Sequence, residues 1–193
     1  MKVLLVDFYD SFTFNIEHYL NALDVDVTVV KDDDVNLDDI VGFDAIILSP
    51  GPGLPNETKN LFSILDRYAS SHRILGVCLG MQGIAQYFKA ELYNLNTVYH
   101  GKVREISVKN KNWLFTDLQN EINVGLYHSW AVKIDGKSPL RIAAQTYDGI
   151  IMAIEHEKLP ICGVQFHPES ILTENGIAIF KNFLFQKRSF QNI

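Results

Sequence analysis

The stretch RILGVCLGMQGIAQYF (residues 73–88) joins a short apolar run to a helical pattern, with one cysteine between them. The run Ile74–Val77 is typical of a buried strand, and the residues after Cys78 have the spacing of a helix. Gly76 and Gly80 stand on either side of the cysteine, and glycine permits the close backbone approach that a sharp turn requires. The stretch therefore predicts a strand–turn–helix unit, the building block of an α/β fold.

The same alternation continues on both sides of this unit and favours a parallel sheet with helices on both faces. Strands are predicted at 2–6, 26–30, 44–49 and 74–77, and helices at 11–23, 59–69 and 83–88. Asp10 or Ser11 is the expected N-cap of the first helix. Beyond Tyr99, shorter β-branched strands are predicted at 102–108, 140–147, 149–156 and 160–166, before a closing helix at 175–186. The predicted fold class is α/β, with a mostly parallel central sheet flanked by helices and a smaller mixed or antiparallel sheet in the C-terminal half.

Composition narrows the possible partners. The 193 residues carry a formal net charge of −6, which argues against nucleic acid or an anionic membrane as the main partner. No apolar run approaches the roughly 20 residues that cross a bilayer, and the one at the N-terminus is too short for a signal peptide. Two cysteines are too few for a disulfide scaffold. We expect one domain, residues 1–193, in the cytoplasm, with the acidic segment 31–39 as a solvated loop.

Three loops follow predicted strands, and open α/β sheets bind ligands where such loops meet at the carboxyl edge. The loop SPGPGLP (49–55) is stiffened by glycine and proline, and its N–H groups could form an anion-binding concavity. The alternative is a stiff surface turn; a P-loop is excluded because no GK[ST] follows. The other two loops are the turn at Cys78 and GVQFHPES (163–170).

The spacing GVCLG matches the G-x-S-x-G nucleophile elbow, with sulfur in place of the hydroxyl. A helix N-terminus favours a thiolate, and the N–H of Leu79 could bind an oxyanion. A free cysteine is usually a small core residue, but the two flanking glycines favour a nucleophile here. Such a thiol needs a base, and the base needs an orienting group. His167 and Glu169, separated by one proline, can project to the same side, so Cys78, His167 and Glu169 form a candidate triad.

A metal site is the weaker interpretation of the same residues. Cys162, His167 and Glu169 could supply ligands, with His128 or His156 nearby. No CxxC, HxxxH or HExxH spacing occurs, and Cys162 lies in the middle of an apolar strand, where it is expected to be a core residue.

Taken together, these segments resemble the class I glutamine amidotransferases, a Cys-His-Glu family, over nearly the whole chain. The resemblance rests on segments in the family's order: DFYDSFTFNI, SPGPGLP, GVCLGMQ, HGKV, YHSW and GVQFHPESILTENG. It is strongest to the glutaminase subunit (component II) of anthranilate synthase and of aminodeoxychorismate synthase. It implies hydrolysis of L-glutamine to glutamate and ammonia without a metal or cofactor.

Carried over by position, the resemblance implies that Cys78 is the nucleophile, His167 the general acid–base and Glu169 its orienting partner. The implied glutamine-binding residues lie in three of the quoted loops and on the helix after the elbow: Gly51, Pro52, Gly53, Leu79, Gln82, Ser129 and Trp130.

The resemblance also implies a partner, a chorismate-binding synthase subunit (component I) that receives the ammonia in a hetero-oligomer. Tyr9, Asp10 and Ser11 are expected to contact it. The acceptor could belong to tryptophan biosynthesis, to folate biosynthesis or to both. A stand-alone γ-glutamyl hydrolase and an inert module with the same fold are the other classes. Two positions have no assigned role: Met81, where these subunits usually carry histidine, and His100.

Overall fold

The computed structural model describes residues 1–111 and 113–186. The helices are α1 (Thr13–Ala22), α2 (Leu61–Tyr68), α3 (Leu79–Tyr87) and α4 (Gly176–Phe185). The strands are β1 (Lys2–Asp7), β2 (Asp26–Lys31), β3 (Ala45–Leu48), β4 (Arg73–Val77), β5 (Glu91–Asn94), β6 (Lys102–Val108), β7 (Glu121–Leu126), β8 (Trp130–Lys133), β9 (Leu140–Thr146), β10 (Ile151–His156) and β11 (Ile161–Val164). Short 3₁₀ turns occur at Asp32–Asp34, Leu37–Gly42 and Pro55–Glu57.

One large sheet organises the described part of the chain, with nine strands in the order β2-β1-β3-β4-β11-β10-β9-β6-β7. The pairings from β2 to β11 are parallel, and those from β11 through β10, β9 and β6 to β7 are antiparallel. A second sheet contains the antiparallel pair β5-β8. Because β1, β3, β4 and β11 are parallel neighbours, the loops that follow them meet at one edge of the sheet.

Alternate residues of the central strands supply two separate apolar layers. Val3 and Leu5 of β1 point into the layer that holds the buried faces of α1 and α4. Leu4 and Val6 point into the opposite layer, with α2 and α3. Strands that are buried on both faces read as continuous apolar runs, and this is why the sequence pattern identified them. In the described residues, no helix is long and apolar enough to cross a membrane.

The predicted fold class is confirmed, with local corrections. The strands predicted beyond Tyr99 extend the large sheet, and β7 at its edge was not predicted. The small antiparallel sheet is made by β5 and β8, which the sequence pattern did not reveal. Helix α1 begins at Thr13 with Phe12 as its N-cap, although Asp10 or Ser11 was expected. The Asp10 carboxylate instead accepts the N–H of Phe12 at 2.8 Å, so it stabilises the turn that precedes the helix.

The acidic segment 31–39 is not simply a solvated loop. Asp32 is buried, and its carboxylate accepts the N–H groups of Lys59 at 2.6 Å and Asn60 at 2.9 Å. Asn60 precedes α2, so Asp32 supplies the carboxylate that this helix start lacks in its own sequence. One charge of the acidic run therefore fixes the position of a helix, while its neighbours face solvent.

Candidate active site

The turn between β4 and α3 places Cys78 at the carboxyl edge of the sheet. Cys78 has φ 50° and ψ −101°, a conformation that L-residues rarely adopt, and it is the N-cap of α3. Its N–H donates to Val164 O at 2.8 Å, and its carbonyl accepts the N–H of Gln82 at 3.0 Å. The sulfur therefore lies at the positive end of a helix, on a backbone that is held from both sides.

The two flanking glycines are required by contacts that the sequence alone does not show. A Cβ on Gly76 would lie 2.3 Å from the carbonyl carbon of Gly80, and a Cβ on Gly80 would lie 2.3 Å from Leu48 O. The strand, the helix start and β3 are packed backbone to backbone at this point. This close packing holds the backbone that carries the Cys78 thiol in one position.

His167 and Glu169 meet at the end of β11, next to the elbow. His167 Nδ1 lies 2.7 Å from Glu169 Oε1, and both side chains are almost completely buried. Burial by itself lowers the pKa of His167, but the Cys78 side chain and the Glu169 carboxylate outweigh it and raise this pKa well above its ordinary value. Nε2 has no hydrogen-bond partner of ordinary geometry within the described residues, so it is the ring atom left for the thiol and its substrate.

Two aromatic rings hold the imidazole from its sides. Phe12 and Tyr127 pack edge-on against His167, with ring centroids 5.4 and 4.9 Å away. Two hydrogen bonds hold the main chain of His167. Its N–H donates to Gly125 O at 3.1 Å, and its carbonyl accepts Thr173 Oγ1 at 2.6 Å. The ring therefore has little freedom to rotate away from Glu169.

The loop after β3 lies beside the first residue of α3. A Cβ on Gly51 would lie 2.4 Å from Leu79 Cδ2, so glycine is needed for this approach. Gly53 has φ +75°, which favours glycine, and Pro52 beside it is exposed. Leu79 is the first residue of its helix, and its N–H is not used by the helix's own hydrogen bonds. The structure thus brings Gly51 and Leu79 together next to the sulfur.

Gln82 connects α3 to the segment that contains Ser129 and Trp130. Gln82 is buried on α3, and its Nε2 donates to Trp130 O at 3.2 Å. The carbonyl of Ser129 accepts the N–H of Leu95, the residue after β5, at 2.7 Å. The contact to Trp130 is made by its main chain, so the identity of this side chain matters little for it.

His128 supports the same carbonyl. Its Nδ1 lies 2.7 Å from Trp130 O, and the ring stacks on Tyr99 with centroids 5.3 Å apart. Burial lowers the pKa of His128 to about 4, so the ring is neutral at pH 7. Since a carbonyl only accepts, Nδ1 carries the proton of the neutral ring.

Three residues that the sequence singled out prove to be peripheral to the site. Met81 is fully buried and packs against Gly163, so it belongs to the apolar layer below the elbow. Cys162 is fully buried in the middle of β11, as expected. His100 is exposed and packs edge-on against Tyr127 with ring centroids 5.8 Å apart, which places it at the rim. In the described residues, no group of three His, Cys, Asp or Glu side chains is arranged to hold a metal ion.

Tyr9, Asp10 and Ser11 form an exposed turn after β1, at the same edge of the sheet. Tyr9 has φ 64°, and its hydroxyl donates to Asp33 Oδ2 at 2.6 Å. This hydrogen bond is the main cause that raises the pKa of Tyr9 to about 12. A cleft of about 400 Å³ lies between this turn and the loop after β3, and Leu79 forms part of its wall.

The geometry suits nucleophilic catalysis by a thiol. It provides a sulfur at a helix N-terminus, an imidazole oriented by a buried carboxylate, and a helix-start N–H beside a glycine loop. Sequence reasoning missed Phe12, Tyr127 and Gln165, which surround these groups, and considered His128 only as a possible metal ligand. The signal for Gln165 was present: it is a polar residue between apolar neighbours at the end of a buried strand.

Comparisons with known proteins identify the family of the chain. The family model for class-I glutamine amidotransferases matches residues 4–187. A Haemophilus influenzae protein described as anthranilate synthase component II is 41% identical over 185 residues, covering 95% of this chain and 96% of its own length. The Bacillus subtilis aminodeoxychorismate/anthranilate synthase component 2 is 40% identical, covering 94% and 95%.

A solved structure shows the same fold. A Thermoplasma acidophilum protein described as part of a GMP synthase superposes with a TM-score of 0.85 at 28% identity, covering 95% of this chain and 92% of its own. The extent of the family match and of the relatives' coverage leaves one assignment. The chain belongs to the class-I glutamine amidotransferase family.

Proposed function

We propose that this chain is a glutaminase subunit that hydrolyses L-glutamine with Cys78, His167 and Glu169 and passes the ammonia to a chorismate-using synthase subunit. The observation that carries the proposal is the buried 2.7 Å contact between His167 Nδ1 and Glu169 Oε1 beside the strained Cys78 elbow. A structural cysteine would not require a positive φ, an adjacent imidazole and a carboxylate buried behind it.

The chemistry follows from these positions. The Cys78 thiolate attacks the side-chain amide carbon of glutamine, and the carbonyl oxygen becomes an oxyanion next to the N–H of Leu79 and the 51–53 loop. Imidazolium at His167 gives its Nε2 proton to the leaving nitrogen, and ammonia departs from a glutamyl thioester. Water then gives a proton back to Nε2 as it attacks the thioester, which releases glutamate and restores the thiolate. Loss of one oxyanion donor typically costs about 3–4 kcal/mol of barrier.

The glutamine site that we propose lies between the two flanks of the elbow. Gly51, Pro52 and Gly53 form one wall, and Gln82, Ser129 and Trp130 form the other. Glycine and main-chain groups suit a small zwitterionic substrate because they offer N–H and C=O groups at close range. The matches of the SPGPG and YHSW segments to the family's pattern argue against a stand-alone γ-glutamyl hydrolase.

The proposed acceptor is a component I subunit that binds chorismate. Ammonia is a useful nucleophile only if it reaches the acceptor before it is protonated, so the two sites must be joined by a shielded path. Tyr9, Asp10 and Ser11 are proposed as contacts with this subunit because their turn is exposed beside the cleft that Leu79 also lines. The component 2 names of the relatives support this partnership.

The pathway has two candidates. Anthranilate synthesis is favoured by the Haemophilus influenzae relative, and the Bacillus subtilis relative carries both the anthranilate and the aminodeoxychorismate names. The second candidate is therefore a subunit of aminodeoxychorismate synthase, or one shared by both synthases.

Glutamate release from glutamine tests the proposal. The protein is assayed alone, with the anthranilate synthase large subunit plus chorismate, and with the aminodeoxychorismate counterpart. Cys78→Ala should abolish release in every mixture, while Cys162→Ala, which removes the other thiol, should retain it. Stimulation by only one of the large subunits identifies the pathway, and stimulation by both indicates a shared glutaminase. Release that persists in Cys78→Ala would refute the triad.

A further inference from the structure

The side chain of Gln165 links the nucleophile to the interior of the glutamine site. It is fully buried at the end of β11, and its Nε2 lies 3.5 Å from Cys78 Sγ. On its other side, Gln165 Oε1 accepts Gln82 Nε2 at 3.1 Å. Gln82 Nε2 in turn donates to Trp130 O at 3.2 Å. These contacts form a continuous chain from the sulfur to a main-chain carbonyl.

The main-chain carbonyl of Trp130, at the end of this series of contacts, sets the direction of every hydrogen bond in it. A main-chain carbonyl has no proton, so Gln82 must turn its NH₂ group towards Trp130 O. The second proton of that NH₂ group points at Gln165, which must therefore present its oxygen to Gln82. The amide nitrogen of Gln165 is then left facing Cys78 Sγ as a donor.

The surroundings keep this arrangement from reversing. His128 Nδ1 donates to the same Trp130 carbonyl at 2.7 Å, and this ring is neutral at pH 7. A buried amide that flipped would place its oxygen against the sulfur and two NH₂ groups against each other, and burial makes such contacts costly. The orientation of Gln165 is thus decided by a carbonyl two hydrogen bonds away.

We propose that Gln165 is a donor to the reacting sulfur of Cys78 and that it favours the thiolate and fixes the direction of its attack. The inference rests on the proposed function, in which that sulfur is the nucleophile. Gln165 keeps its own protons throughout, because the thiol proton goes to Nε2 of His167. A hydrogen bond to the charged form of a group stabilises that form, so the donor complements the imidazolium and the helix N-terminus.

The test measures the thiol directly, without turnover. In a Cys162→Ala background Cys78 is the remaining cysteine of the chain, and its alkylation by iodoacetamide is followed as a function of pH. Gln165→Met has a similar length but no donor. We expect the pH of half-maximal alkylation rate to rise by about one unit, because a hydrogen bond to a charged acceptor has been lost. Below both midpoints the alkylation rate and kcat/KM for glutamine should fall by about tenfold, and both should recover at higher pH.

Two further variants separate this role from packing. Asn182→Leu removes a buried amide that donates to Leu114 O and Thr116 O, far along the chain from the elbow. It should lower the stability without moving the alkylation midpoint. Gln82→Met removes the group that orients Gln165, and we expect a smaller shift in the same direction; it also serves as the test if Gln165→Met does not fold.

The outcomes are distinct from those of the glutaminase assay. A folded Gln165→Met with an unchanged alkylation midpoint would overturn the inference, and so would equal shifts in Gln165→Met and Asn182→Leu. Failure of the proposed function would appear instead as glutamate release that does not depend on Cys78, whatever the alkylation profile.

Discussion

Cys78 lies directly after β4 and Tyr9 two residues after β1, and their surroundings are opposite. Each follows a buried parallel strand, and each is a non-glycine residue with positive φ, 50° for Cys78 and 64° for Tyr9. Cys78 is buried and held by backbone packed against backbone, whereas Tyr9 is exposed and held by a carboxylate. Asp7 Oδ1 accepts the N–H of Tyr9 at 2.9 Å and the hydroxyl of Thr13 at 2.8 Å.

The difference shows that a positive φ serves two purposes in this fold. In the interior it aims a reactive group, and close packing prevents its relaxation. At the surface a positive φ turns the chain outward. Side-chain hydrogen bonds are sufficient to hold it there because an exposed residue can shift slightly without colliding with packed neighbours. A turn held by backbone packing should lose much stability when a single methyl group is added. A turn held by side-chain hydrogen bonds should lose less stability on a small substitution.

The largest expected effect is steric. Gly80→Ala places a methyl group 2.3 Å from Leu48 O, and backbone cannot move aside as a side chain can. We expect a loss of about 3 kcal/mol in the free energy of unfolding, measured by denaturant titration. Gly136→Ala, whose Cβ would meet nothing within 4 Å, is the matched control. Equal stability of the two variants would show that the elbow is not tightly packed.

The next effect concerns the Glu169 carboxylate, which stabilises the charged form of His167. Glu169→Gln is isosteric but removes the charge that helps to raise the pKa of His167. This pKa should fall, and kcat/KM for glutamine at pH 7 should drop by about 10²-fold. Glu174→Gln, which loses the exposed carboxylate that bonds Asn123, should keep the activity. Wild-type kinetics in Glu169→Gln would remove this carboxylate from the mechanism.

A smaller effect depends on pH. The pKa of His128 is lowered to about 4 in the folded chain, from an ordinary value of 6.5, so the unfolded state binds more protons between these values. This contribution to stability is complete above pH 6.5 and is lost as the pH falls towards 4. His128→Asn keeps a donor for Trp130 O but does not titrate.

Denaturant unfolding of both proteins at pH 7 and pH 5 measures this contribution. Relative to wild type, His128→Asn should gain about 2 kcal/mol between pH 7 and pH 5. The opposite contribution of His167 is present in both proteins and cancels. A constant difference between the two proteins would mean that His128 is not neutral in the fold.

The smallest effect is expected at the surface turn. Asp7→Asn retains an oxygen acceptor but loses its charge, so the turn at Tyr9 should weaken by about 1 kcal/mol in the free energy of unfolding. The alkylation rate of Cys78 should not change, because the elbow has its own supports. An altered Cys78 rate in Asp7→Asn would show that the two turns are coupled, contrary to the comparison.

Much of this architecture was predictable from sequence. The buried strands read as apolar runs, and the central parallel strands were placed within one or two residues. The elbow was visible in GVCLG because glycine is needed wherever two backbones touch. Strands β5, β7 and β8 were not predicted. β5 and β8 have four residues each, and β5 is largely exposed, so neither produces a clear apolar pattern. Asp32 was misjudged because a charge run is usually solvated, and its partners lie 27 and 28 residues away.

Sequence patterns alone specified the central parallel strands, the helices between them, the sharp turn that carries Cys78, and the close spacing of His167 and Glu169. Local patterns encode these features because they depend on backbone geometry within a few residues. The fold, and not any local pattern, brings Phe12 and Tyr127 around the imidazole and turns the Gln165 nitrogen towards the sulfur. These contacts join residues far apart in the chain, and the orientation of a buried amide depends on all the hydrogen-bond partners that the fold assembles around it.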